Sequence, residues 1–247
     1  MNRILEGRVA VVTGASRGIG RAAAIALAEA GAHIVALART QGGLEELDDS
    51  IREVGGSATL VPVDLTDFEA IDRLGAAIFQ RWGKLDILVG NAGILGELSP
   101  ITHIDQQVWD AVMKLNVTAN WRLIRSLDPL LRASDAGRAI FVTSGSAHKC
   151  TAYWGVYSIS KAALDALVRT YAAETVTTPV RAMLINPGPL ATSMRKKAMP
   201  GEDQSKLKTP EDLAPHFVTL ASPSWIETGK IYDFTHNGQI LTPQAPA

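Results

Sequence analysis

The chain has 247 residues, 47% hydrophobic and 20% charged, which excludes a disordered chain, a collagen-like repeat and a coiled coil. Its 24 basic and 25 acidic side chains give a net charge of −1. Because this lacks the basic surplus that a phosphate backbone requires, we expect no nucleic-acid partner. One cysteine, Cys150, and five scattered histidines predict neither an internal disulfide nor a metal site.

The sequence shows no targeting or membrane signal. Its first residues, MNRILEG, lack the apolar stretch of a secretory signal, so we expect a cytoplasmic protein. A membrane-spanning helix needs about 18 or more consecutive apolar residues, and no such run occurs in the chain. We therefore expect no membrane-spanning segment.

Short β-branched runs alternate with longer segments of helical periodicity. The predicted strands are 8–13, 33–38, 58–63, 85–89, 138–143, 180–186 and 230–234. The predicted helices are 18–30, 67–82, 107–131, 153–176 and 210–221. Strands such as VAVVT and HIVALA are apolar on both faces, as strands covered by helices on each side must be. The pattern predicts one α/β domain over residues 1–247, a Rossmann-like, doubly wound parallel sheet of about seven strands with helices on both faces.

The first strand runs directly into TGASRGIG at 13–20 and then into an alanine-rich helix. Gly14 permits a tight turn, Gly18 lets the backbone approach a pyrophosphate, and Gly20 allows the helix to pack closely on the strand. The amides at the start of the helix then face the phosphates. Three glycines alone are weak evidence, but at this first strand-to-helix junction they favour a dinucleotide site over a structural turn.

The second strand ends at Ala38-Arg39, where an NAD site would carry an acid for the ribose 2′-hydroxyl. Arg39 and Arg17 can instead bind a 2′-phosphate, which favours NADP(H) over NAD(H), unless both are ordinary surface arginines. Asp64, after the third strand, could accept from the adenine amino group or cap the next helix. Another flexible strand end follows at 90–93.

Tyr157 is followed by Lys161, and at i and i+4 both side chains share a helix face. We expect the ammonium to lower the pKa of the phenol towards neutrality. Ser144 ends a strand, where its hydroxyl can bind a substrate carbonyl, and Ser146 is a rival for that role. Asn116 lies in the middle of helix 107–131, an unfavourable place unless its side chain or a local bend is used; a surface asparagine is the alternative.

Residues 189–209 form a long, polar segment that interrupts the alternation of strands and helices. A loop of this length inside an α/β domain is typical of a lid over a binding site, although a solvated insertion is the alternative. Thr209 and Pro210 are suited to begin the helix that follows. The tail at 243–247 is expected to be flexible.

Together these motifs resemble the short-chain dehydrogenase/reductase family over essentially the whole chain. The matching motifs are TGASRGIG at 13–20, DL at 64–65, NAG at 91–93, Asn116, Ser144, YSISK at 157–161 and NPGPLAT at 186–192. The resemblance implies that Tyr157 is the general acid/base, that Lys161 holds the nicotinamide ribose and lowers the tyrosine pKa, that Ser144 orients the carbonyl, and that Asn116 anchors a proton-relay water.

The resemblance also implies a cofactor site, a lid at 189–209 and a homotetramer or homodimer. The expected cofactor-binding residues are Gly14, Ser16, Arg17, Gly18, Ile19, Gly20, Arg39, Asp64, Leu65, Asn91, Ala92, Gly93, Tyr157, Lys161, Pro187, Gly188, Leu190 and Thr192. Two motifs depart from the family pattern: its N-N-A-G reads GNAG at 90–93, and its terminal D-G-G is replaced by YDFTHNG at 232–238. The second departure leaves the contribution of the tail to the pocket open.

We expect an oxidoreductase that transfers a hydride between NADP(H) and the carbonyl or alcohol carbon of a small organic substrate. A 3-oxoacyl thioester reductase is an alternative within this class. An NADP-binding redox-sensing regulator is an alternative from another class, although a sensor would need only the nucleotide site. Bulky candidates for the pocket walls hint at an apolar or aromatic substrate: Leu95, His148, Cys150, Tyr153, Trp154, Met194 and Met199.

Overall fold

The computed structural model describes residues 3–242. The strands are β1 Val9–Thr13, β2 His33–Ala38, β3 Ser57–Pro62, β4 Ile87–Gly90, β5 Arg138–Val142, β6 Arg181–Asn186, β7 Ile231–Asp233 and β8 Gln239–Leu241. The helices are α1 Gly18–Glu29, α2 Gln41–Glu53, α3 Phe68–Trp82, α4 Gln106–Met113, α5 Ala119–Arg132, α6 Ser146–Lys149, α7 Gly155–Glu174, α8 Ser193–Ala198 and α9 Pro210–Ala221.

The strands form one sheet in the order β3-β2-β1-β4-β5-β6-β7-β8. Strands β1 to β7 pair in parallel, which confirms the predicted doubly wound sheet, and β8 pairs antiparallel with β7. The chain leaves β1 towards β2 on one side and later crosses to β4 on the other. Ligands of such sheets bind beyond the carboxyl ends of the strands at this reversal.

Helices cover both faces of the sheet. Side chains such as Leu27 of α1, Leu47 of α2 and Phe217 of α9 are buried in one core on the first face. Side chains such as Leu127 of α5 and Val168 of α7 are buried with those of α3 in a second core on the other face. Within residues 3–242, no helix is both long and apolar enough to cross a membrane.

The sequence analysis missed four elements: helix α2, the short helices α6 and α8, and strand β8. Helix α2 buries Leu44, Leu47 and Ile51, whose helical spacing was the available signal, but the Gly42-Gly43 pair in its first turn weakens the local helical preference. Strand β8 has only three residues, and it exists because its backbone pairs with the edge strand β7. The predicted tail at 243–247 lies outside the described residues.

The predicted helix 107–131 is two helices joined by a π-helical turn at Lys114–Thr118. In this turn the Ala119 N–H donates to the carbonyl of Lys114, five residues back. Asn116 lies in the turn, and Asn120 Nδ2 donates to its carbonyl oxygen at 2.8 Å. The expected local bend at Asn116 is therefore a widened turn.

Candidate active site

The turn after β1 has the geometry of a phosphate-binding loop. Gly14 and Gly18 have φ angles of 64° and 55°, in the left-handed region that favours glycine. A Cβ at Gly20 would lie 2.3 Å from the Gly14 carbonyl oxygen, so only glycine fits there. Arg17 is the N-cap of α1, and no side chain caps the amides that follow it. These amides can therefore bind an anionic group.

Hydrogen bonds tie the ends of β1 and β4 together beside this turn. The Thr13 hydroxyl accepts from the amides of Asn91 at 2.9 Å and Ala92 at 3.0 Å, and it donates to the Val89 carbonyl at 3.2 Å. Asn91 Nδ2 donates to the Thr13 carbonyl at 2.8 Å. Sequence reasoning gave Thr13 no role, because its partners are about 75 or more residues away along the chain. The result is a fixed crevice at the reversal of the sheet.

Basic side chains lie at the ends of the strands on the β2 side of this crevice. Ala38 is buried at the end of β2, whereas Arg39 and Arg17 are exposed. Hydrogen bonding to Thr66 lowers the pKa of Asp64, with smaller contributions from the Arg39 and Lys114 charges. Arg39 and Lys114 are therefore the cations that act on the Asp64 carboxylate at this end of the crevice.

The N-cap interpretation of Asp64 is wrong. Asp67 caps α3 by accepting from the Ala70 amide at 3.1 Å. Asp64 instead accepts from the amide and hydroxyl of Thr66, both at 2.8 Å, through its Oδ1 atom. The carboxylate therefore shapes the loop after β3 rather than the start of the helix.

Asn116 is fully buried and clamps the segment that follows β4. Its Oδ1 accepts from the Ile94 amide at 2.9 Å, and its Nδ2 donates to the Ile94 carbonyl at 2.9 Å and to Ser160 Oγ at 3.0 Å. Ser160 in turn donates to the Tyr157 carbonyl at 2.8 Å. Asn116 is thus a buried anchor between this segment and α7, and the surface alternative is wrong.

Tyr157 lies on α7 with only 8% of its surface exposed. Burial raises the pKa of its phenol, and a hydrogen bond with Ser144 acts in the opposite direction. Ser146 donates to Ser144 Oγ at 2.9 Å, so the rival serine supports Ser144. The expected lowering of the Tyr157 pKa by Lys161 is not found, because the desolvation of the phenolate dominates.

Lys161 Nζ lies 5.8 Å from the centre of the Tyr157 ring and donates to the Val142 carbonyl at 2.8 Å. Burial lowers the pKa of Lys161 to about 8, although the charge of Asp165 acts to raise it. Asp165 is also buried; it accepts a hydrogen bond from Thr143, and His148 Nε2 lies 3.1 Å from its Oδ2. Sequence reasoning did not identify Asp165, which follows Lys161 by one helical turn.

Ser144, Tyr157 and Lys161 line a cavity of about 590 Å³ at the carboxyl ends of the central strands. Of the residues expected at the site, the cavity wall includes Ile19, Asn91, Gly93, Ser144, Tyr157, Lys161, Pro187, Gly188, Leu190 and Thr192. Of the expected pocket walls it includes Leu95, His148, Trp154, Met194 and Met199, but neither Cys150 nor Tyr153. The other expected site residues do not line this cavity: Gly14, Ser16, Arg17, Gly18, Gly20, Arg39, Asp64, Leu65, Ala92 and Asn116. Such a size is typical of a small-molecule site.

The segment that replaces the family's terminal motif also lines the cavity, through Asp233, Thr235 and His236. Gly188 has a φ of 65°, and a Cβ there would lie 2.1 Å from Thr235 Cγ2. On the same side, Asn186 Oδ1 accepts from the amides of Gly145 at 3.0 Å and Gly188 at 3.2 Å. No local sequence pattern indicates this contact, since the segment meets the NPG turn only in the folded chain.

Residues 189–209 contribute to the cavity wall, through Pro189, Met194 and Met199 among others, and contain more secondary structure than a polar loop. They contain α8 and a short 3₁₀ turn at Gln204–Lys206. Arg195 on α8 makes two hydrogen bonds of 2.6 Å to the Glu202 carboxylate. The Ala191 amide donates to the Lys208 carbonyl at 2.9 Å, which joins the two ends of the segment. The two ends of the segment therefore lie side by side, and the residues between them form a closed loop.

Comparison with known proteins agrees with this architecture. A family model described as short chain dehydrogenase matches residues 8–203. The chain belongs to the short chain dehydrogenase family. It is 36% identical over 234 residues to the uncharacterized oxidoreductase YciK of Escherichia coli, covering 93% of this chain and 92% of that protein.

Two further similarities of this short chain dehydrogenase concern the cofactor. A structure from Escherichia coli CFT073 complexed with NADPH has a TM-score of 0.89 and 37% identity, covering 94% of this chain and 98% of that chain. The uncharacterized NAD-dependent oxidoreductase Rv0687 of Mycobacterium tuberculosis is 36% identical over 204 residues, covering 77% of this chain and 74% of that protein. The family is one of nicotinamide-dependent oxidoreductases, and its members differ in their choice of cofactor.

Proposed function

We propose that this protein catalyses the transfer of a hydride between NADP(H) and the carbonyl or alcohol carbon of a small organic substrate. The observation that carries the proposal is the convergence of Ser144, Tyr157 and Lys161 on one cavity that also adjoins the phosphate-binding turn. A redox sensor would need only the nucleotide site. The protein holds, in addition, a hydroxyl, a phenol and an ammonium in positions suited to proton transfer.

The residues of this site fit a nicotinamide nucleotide, since the glycine turn and the uncapped start of α1 can bind the pyrophosphate. When bound, NADPH supplies the hydride to the carbonyl carbon. Ser144 donates a hydrogen bond to the carbonyl oxygen, and Tyr157 transfers its phenolic proton to the same atom. The hydride and this proton together convert the carbonyl to an alcohol, and a solvent proton then restores the phenol.

The electrostatics favour the acid role of Tyr157. Burial raises the pKa of the phenol, so Tyr157 is protonated at neutral pH, which is the form that carbonyl reduction requires. The ammonium of Lys161, with a pKa of about 8, is also mostly protonated at pH 7 and stabilises negative charge that develops on the phenol oxygen. Both groups are therefore in the protonation states that proton donation to a carbonyl oxygen requires.

The test is an NADPH-oxidation screen over ketones, aldehydes, quinones and acyl thioesters, repeated with Tyr157→Phe. Loss of the transferred proton should lower kcat by about 10²–10⁴ while NADPH affinity stays nearly unchanged. Tyr153→Phe is the matched control, because Tyr153 is exposed and does not line the cavity. Activity of Tyr157→Phe above about a tenth of wild type contradicts the assignment, and NADPH binding without any turnover favours the redox sensor.

The preference for NADP(H) is supported by the buried Ala38, which offers no acceptor to a ribose hydroxyl, and by the exposed Arg39 and Arg17. Each charge-assisted contact to a 2′-phosphate contributes about 1.5–3 kcal/mol, enough together for a preference of about two orders of magnitude. Ala38→Asp with Arg39→Ala should invert this order, since a carboxylate accepts from a hydroxyl and repels a phosphate. Calorimetric titration of both cofactors decides the matter, and equal affinity of the wild type for both contradicts the proposal.

A further inference from the structure

A second cavity, of about 440 Å³, lies beside the reaction pocket and has no part in the reaction proposed above. We call it the side cavity. Its walls come from the segment after β4, from α4 and from α8. Most of the wall consists of the apolar side chains of Ile94, Leu95, Leu98, Val108, Ala111 and Val112. An apolar concave wall of this size is typical of a site for the apolar part of a ligand.

Leu95 is the wall that the side cavity and the reaction pocket share. Its side chain is buried and belongs to an apolar cluster with Tyr157 and Ala198, against which Leu98 packs. Tyr157 and Ala198 line the reaction pocket, whereas Leu98 lines the side cavity. The two cavities therefore adjoin at Leu95, and a substituent that extends from the reacting carbonyl past Leu95 would meet the apolar wall of the side cavity, whose charged members are the exposed Glu97 and Lys197.

The shape of the side cavity is fixed by hydrogen bonds and close packing. Asn116 holds both the amide and the carbonyl of Ile94 at 2.9 Å. Gly96 has a φ of 72°, and a Cβ there would lie 2.7 Å from Val112 Cγ2, so this segment packs tightly against α4. Hydrogen bonds and packing within the protein thus hold this wall of the cavity, so little ordering is required on binding.

The helix α8 contributes to both compartments. Ala198 lines the reaction pocket, and its neighbour Lys197 lines the side cavity. Lys197 is exposed, so its ammonium reaches water while its methylene stem covers apolar wall. One helix therefore covers the reacting group and its substituent together.

The geometry points to a carbonyl substrate with a long, unbranched apolar chain, whose carbonyl lies at Tyr157 and Ser144 and whose chain passes Leu95 into the side cavity. This inference rests on the proposed function and adds the class of substrate to it. Each methylene that enters an apolar site improves binding about fourfold. The chain contributes in the transition state as well as in the substrate complex, so kcat/KM should rise with chain length.

The first test compares butanal with octanal as substrates for NADPH oxidation. We expect kcat/KM to be on the order of tenfold or more higher for octanal. Ala111→Phe places a ring in the side cavity from an exposed position, and should reduce the ratio of octanal to butanal activity about tenfold or more. Gln107→Phe is the matched control, since Gln107 is exposed on the same helix and does not line the cavity; it should keep the wild-type ratio. A ratio that is the same in wild type and Ala111→Phe overturns the inference.

The second test does not depend on turnover. Calorimetric titration of 1-butanol and 1-octanol into the wild-type protein with NADPH should show tighter binding of 1-octanol, about tenfold or more, and Ala111→Phe should remove the difference. If no carbonyl compound oxidises NADPH, the proposed function fails while this titration still decides the side cavity. Equal affinity of wild type for the two alcohols overturns the inference even if both aldehydes are reduced.

Discussion

Replacement of Asn116 by alanine should destabilise the protein and loosen the site at the same time. The side chain makes three hydrogen bonds, of 2.9 and 2.9 Å to the backbone of Ile94 and 3.0 Å to Ser160. Ser160 keeps its bond to Tyr157, but the amide and carbonyl of Ile94 lose their partner. Because Ile94 is half-buried, water recovers part of the loss, and we expect the free energy of unfolding to fall by about 2–3 kcal/mol.

Urea unfolding measures this effect as a lower midpoint with an unchanged slope. Gln107→Ala is the control, because that side chain is exposed on the neighbouring helix and should change stability by less than about 0.5 kcal/mol. In Asn116→Ala, KM for the carbonyl substrate should rise more than the Kd for NADPH, since Ile94 directly precedes Leu95, which lines the reaction pocket. A loss of stability no greater than that of the control would refute the view of Asn116 as a buried anchor.

Three further outcomes are expected. Burial lowers the pKa of Lys161 to about 8, whereas an unfolded lysine titrates near 10.4, so the unfolded chain binds more protons between these values. Wild type should therefore gain up to about 3 kcal/mol of stability relative to Lys161→Met as the pH rises from 8 towards 10, and a pH-independent difference in urea unfolding contradicts this. Trypsin should cleave within 189–209 more slowly when NADPH and a carbonyl substrate are both present, and equal rates with and without them exclude a lid. Gly188→Ala should lower the thermal midpoint because its Cβ meets Thr235, whereas Gly201→Ala, with open space around it, should not; similar midpoints for the two variants argue against the close contact.

The features that sequence could predict are those in which one short segment carries its own physical reason. One such feature is the glycine turn at 13–20, which is recognised by its place between a strand and a helix. Another is the pair Tyr157 and Lys161, whose i, i+4 spacing puts both side chains on one helix face. The alternation of strands and helices likewise predicted the sheet, because parallel strands need a crossover helix between them.

The features that sequence could not predict depend on partners far along the chain. Asn186 joins the turns after β5 and β6, and Thr235 reaches the cavity only because β7 is added beside β6. The helical spacing shows that Lys161 is a neighbour of Tyr157, and the pKa of Tyr157 was therefore predicted to fall. The spacing does not show the burial of the phenol, which raises its pKa instead. Sequence thus indicated which groups carry the chemistry, while their electrostatic state depends on the packing of the whole chain.

The π-helical turn at Lys114–Thr118 makes the helical segment 106–132 sensitive to its exact residue count. An α-helix advances about 100° around its axis with each residue, so the extra residue of the turn sets the rotation of α5 relative to α4. With this rotation, α4 turns Val108 and Val112 to the side cavity while α5 turns Leu123 and Leu127 to the core under the sheet. Deletion of one residue in this turn would restore regular α-helical hydrogen bonds. It would also rotate either the α4 face away from the side cavity or the α5 face away from the core. Among homologues, the length of this segment should therefore be far less variable than its composition.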